Sequence, residues 1–74
     1  MSAMPPAWPQ PDGTAVSCLE KLKTLKENHA ELAQVMQDAF EDAVLIGVDE
    51  QAMRRILTDM VQSLQSPKRR RAAE

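Results

Sequence analysis

His29 and Cys18 are each the only residue of their kind in the chain, so chemistry would have to start from them. A histidine side chain titrates near neutral pH and serves as acid, base or metal ligand. A metal site needs several ligands at fixed spacing, and His29 has no second imidazole or nearby thiol to join it, so no metal site is expected. At a helical seam position, His29 is better read as a polar residue that sets register than as a pH switch. Cys18 falls near an expected helix start with Lys21 one turn on, an environment that lowers a thiol pKa. Its plainer role is a small apolar seam residue. Asp38, Glu41, Asp42, Asp49 and Glu50 gather toward an expected turn, but no histidine partner or glycine-rich loop accompanies them. They read as a solvated acidic tip. No catalytic residue, cofactor or small-molecule substrate is expected, and the chain reads as a non-enzyme.

The elements that would position these residues are helical. The chain has 74 residues, 43% of them hydrophobic, and its aromatic content is only Trp8 and Phe40. Two glycines and no tyrosine argue against a sheet built on tight turns and aromatic strands. The fold class expected is all-α. The net charge of −2 differs from the basic footprint of a general nucleic-acid binder. No apolar run approaches the roughly 20 residues that cross a bilayer, and residues 1–16 lack the pattern of a secretory signal. No membrane contact is expected, and the cytoplasm is the expected location.

Residues 1–16 read as a disordered, proline-rich arm, because Pro5, Pro6, Pro9 and Pro11 fix φ and remove backbone donors. Trp8 stands among them, either as an anchor for a partner's groove or lying loosely on the helices. A helical hairpin is expected over 17–66, with helices at about 17–46 and 49–65. Ser17 and Glu20 have capping-box spacing. Gly47 is suited to the left-handed conformation that closes a helix, and Asp49 to capping the next one. Ser66-Pro67 ends the second helix. Residues 67–74 read as a basic, disordered tail.

The second helix carries one broad apolar face: Met53, Ile56, Leu57, Met60, Val61 and Leu64. With Met36, Phe40 and Val44 these form the expected hairpin core. The first helix carries a narrower seam at Cys18, Leu22, Leu25, His29, Leu32 and Met36. Its spacings alternate four and three, a period of about 3.5 residues that suits helix pairing. A second helix of about 24 Å reaches back only to about residue 31. The ridge from Cys18 to His29 would then lie open, and with Leu32 and Trp8 it is the expected partner-binding surface. An antiparallel hairpin that pairs into a four-helix or coiled-coil-like assembly follows, as homodimer or on another protein. The alternative is a helix-turn-helix-like DNA- or RNA-binding regulator. Arg54 and Arg55 would then enter the groove while Lys68, Arg69, Arg70 and Arg71 grip phosphate. Asp49 and Glu50 at the start of that helix oppose this reading, as does the missing third helix.

Overall fold

The structure, a computed structural model, describes residues 4–68. It contains two helices, α1 (Leu19–Ile46) and α2 (Glu50–Gln62), joined as a hairpin, with no strand among the described residues. The all-α hairpin expected from the sequence is therefore the fold. The chain divides into two compact units, Met1–Ala39 and Phe40–Glu74, so α1 runs through both.

In the first unit, α1 starts two residues later than expected. Leu22 N–H donates to the Cys18 carbonyl at 2.9 Å, so Cys18 and not Ser17 is the capping residue. Glu20 then stands one position too early to close a capping box. Immediately before this start, Val16 N–H donates to the Trp8 carbonyl at 2.9 Å.

That bond closes a loop inside the stretch expected to be a disordered arm. Gly13 N–H donates to the Gln10 carbonyl and Gln10 N–H to the Thr14 carbonyl, at 2.9 and 2.7 Å. Pro9 and Ala15 form an antiparallel bridge. Proline second and glycine fourth is the signature of a tight turn, here Gln10-Pro11-Asp12-Gly13. Gly13, at φ +91°, then supplies the left-handed step that lets the chain return. Asp12 Oδ1 accepts from Thr14 N–H at 3.0 Å and from Thr14 Oγ at 2.6 Å. These bonds, the side-chain one foremost, hold the Asp12 carboxyl below the usual aspartate pKa. Local hydrogen bonds thus tie residues 8–16 into a loop. Residues 1–3 of that arm lie outside the described residues.

In the second unit the turn follows the sequence closely. Gly47 has φ +119°. Its N–H donates to the carbonyls of Ala43 and Val44 at 3.1 Å, and Val48 N–H reaches Ala43 at 2.9 Å. This double closure satisfies carbonyls that the end of α1 would otherwise leave open. Asp49 caps α2, accepting from Ala52 N–H at 2.9 Å. At the far end α2 stops at Gln62, three residues short of the expected Gln65. Ser63 N–H donates to the Asp59 and Met60 carbonyls, and Ser63 Oγ–H donates to the Met60 carbonyl at 2.7 Å. A serine that bonds back to the helix competes with its continuation. Leu64 is 77% exposed, so no packing offsets that competition. Helical backbone resumes at 67–68 with Ser66 Oγ accepting from Lys68 N–H, where a disordered tail was expected. The rest of the tail, with Arg69, Arg70 and Arg71, lies outside the described residues.

Candidate functional site

No described residue is fully buried, so function has to be sought on surfaces. In the first unit, the ridge expected to lie open has an occupant from its own chain. The Trp8 and His29 rings meet edge to face, centroids 6.0 Å apart at 79°. Such pairs contribute about 0.5–1.5 kcal/mol beyond the area they bury. Val16 lies alongside Glu20, Lys21, Thr24 and Leu25, with which it lines a shallow groove. Trp8, Val16, Leu22, Leu25 and His29 are all half-buried. The open ridge expected from helix lengths is therefore partly covered, because the loop closed by Gly13 turns the arm back onto α1. Leu32, the next seam residue, is 60% exposed, and Val35 beside it is 64% exposed.

Cys18 is exposed and free. Its thiol pKa is lowered, chiefly by the backbone N–H groups of Lys21 and Glu20, with the Lys21 charge a lesser cause. These amides are the first-turn donors that a helix leaves unpaired. Folding thus favours the thiolate, and that preference holds only above the depressed pKa. Alkylation of Cys18 by iodoacetamide should reach half its plateau rate at lower pH in the native chain than in urea, and Lys21→Gln should shift that midpoint little. Identical native and denatured midpoints would remove the capping role.

In the second unit, the half-buried side chains cluster at the turn-proximal ends of both helices: Phe40, Ala43, Val44, Ala52, Met53 and Leu57. Of the expected hairpin core, Phe40, Val44, Met53 and Leu57 of this unit are half-buried, as is Met36 in the first unit. Ile56, Met60, Val61 and Leu64 are not core; their exposures are 49, 61, 56 and 77%. The reason is geometric. A stripe that wraps nearly half of a helix needs neighbours on two sides, and one partner helix covers only part of it.

Arg54 lies over the Phe40 ring, Cζ 4.7 Å from its centroid, instead of pairing with Glu50. A cation seated on an aromatic face is stabilised by about 0.5–1 kcal/mol at an exposed site. Reading a base edge would require that contact to be given up, which weighs against the helix-turn-helix alternative. Arg55 and Lys68 are exposed. The acidic residues Asp38, Glu41, Asp42, Asp49 and Glu50 are exposed as well, and Asp49 is occupied as a cap. Among the described residues, no group of three or more His, Cys, Asp or Glu side chains is placed to hold a metal ion. None of their helices is long and apolar enough to cross a membrane.

Sequence reasoning missed the loop and the part played by Val16. The signal was present in Pro11-Asp12-Gly13, a turn-forming run that the surrounding prolines concealed. No protein-family model, curated protein or solved structure matches this chain.

Proposed function

We propose that this chain is a non-catalytic protein–protein interaction module of the cytoplasm, an adaptor or regulatory subunit whose first partner is a second copy of itself. The contact is the apolar face of α2, formed by Ile56, Met60, Val61 and Leu64. The observation that supports it is that all four are about half exposed or more. Fully burying a large aliphatic side chain contributes about 1.5–3 kcal/mol, so the exposed halves of four of them are a substantial unused driving force. A two-fold pairing of such faces is self-complementary and closes without exposing a new surface. Leu32 and Val35 on α1 form a second open patch that another protein would extend onto.

Sedimentation equilibrium across micromolar to submillimolar concentration tests the reading. The expected mass rises from one chain, 8.3 kDa, toward two. A mass fixed at one chain throughout that range would defeat self-association.

A further inference from the structure

The apolar face of α2 is open, whereas the seam on the first half of α1 is occupied. We infer that the Trp8–Val16 loop is an intramolecular latch, competing with a second copy of the chain for the Leu22, Leu25 and His29 ridge of α1.

Three observations carry this. First, the occupant is a poor match for the ridge. The spacing Cys18, Leu22, Leu25, His29 and Leu32 alternates four and three, which suits a long helix laid alongside. The arm brings only Trp8 and Val16 to it, by an edge-to-face ring contact at 6.0 Å and one shallow groove. Second, the cover stops short. His29 is half-buried under Trp8, but Leu32, the next seam position, is 60% exposed. A helix seated on Leu32 would run directly into the ground the arm holds. A second copy supplies such a helix with the same seam, so the match is reciprocal. Third, the hydrogen bonds described for the arm stay inside it, Val16 to Trp8, Gly13 to Gln10, Gln10 to Thr14 and Thr14 to Asp12, and it meets α1 through the packing of Trp8 and Val16. A loop seated on a helix by two side chains lifts away without disturbing the helices.

The linkage follows from competition. A copy whose ridge is latched cannot pair there, so the apparent affinity falls by the fraction unlatched, once for each copy. Loss of the latch should therefore strengthen pairing while removing apolar surface from the chain, opposite in sign to an ordinary contact mutation.

Two full-length variants release the latch by different routes. Trp8→Ala removes the ring. Gly13→Val removes no side chain that touches the ridge but strains the turn, because φ +91° is unfavourable for a β-branched residue although nothing lies within 4 Å of the new Cβ. Ile56→Glu and Met60→Glu are carried in all samples, so pairing through α2 is absent and the outcome does not depend on that proposal. The expected result is that both release variants associate about tenfold more tightly than their latched parent by sedimentation equilibrium. Adding Leu25→Glu should reverse the gain. The His29 ring proton resonances should also move when Trp8 is replaced, as the indole ring current is lost. Affinity unchanged or weakened in both release variants overturns the latch. A gain that survives Leu25→Glu overturns the ridge as its target. Unmoved His29 resonances overturn the contact itself.

Discussion

With Ile56 and Met60 both replaced by glutamate, the protein is expected to sediment as a single chain at every concentration at which the unsubstituted protein associates. The effect should be large because two costs act together. Each substitution forfeits about 1–2 kcal/mol of apolar burial, since each side chain is already partly covered, and places a carboxylate in an apolar surface. In a two-fold dimer each change occurs twice, so a weakening of at least about a thousandfold is expected. Both residues are about half exposed or more in the free chain, so the far-ultraviolet circular dichroism should change little. Gln51→Glu, on the opposite side of α2 by helical spacing, should leave association intact. If the double variant keeps the mass of its parent, the α2 face is not the contact.

The second large effect is expected at Gly47. At φ +119° an L side chain is strained wherever it points, and nothing within 4 Å of the built Cβ adds a clash. The cost is therefore purely conformational, about 1–3 kcal/mol for a residue held in a sparsely populated region. Gly47→Val should lower the midpoint of urea unfolding markedly, because a hairpin with no fully buried residue among those described has little stability to spare. Gly47→Asn should cost less, since asparagine tolerates the left-handed region. Equal midpoints for the valine variant and the parent would show that the turn does not limit the hairpin.

Much of the fold was legible because its signals are local. Gly47, through its missing Cβ, and Asp49, through its carboxylate, each act on backbone groups within six residues. The helix bodies follow from an uninterrupted run of helix formers. The helix ends were less legible. Cys18 stands where Ser17 was expected as the cap, next to a loop tied back to Trp8, and α2 ends early with Leu64 left 77% exposed. Both outcomes depend on what lies beyond the helix concerned.

The candidate surface divides in the same way. Cys18 and His29, from which any chemistry would have started, are decided by their surroundings: one became a helix cap and the other the seat of an indole ring. The amino-acid sequence by itself determined that two apolar faces exist and how they are spaced, because side-chain type and helical period settle that without reference to any neighbour. Only the tertiary structure decided which face is covered. Covering is a matter of whether a distant segment returns, and here a three-residue turn brings Trp8 back onto α1 while no described segment fully covers the far half of α2.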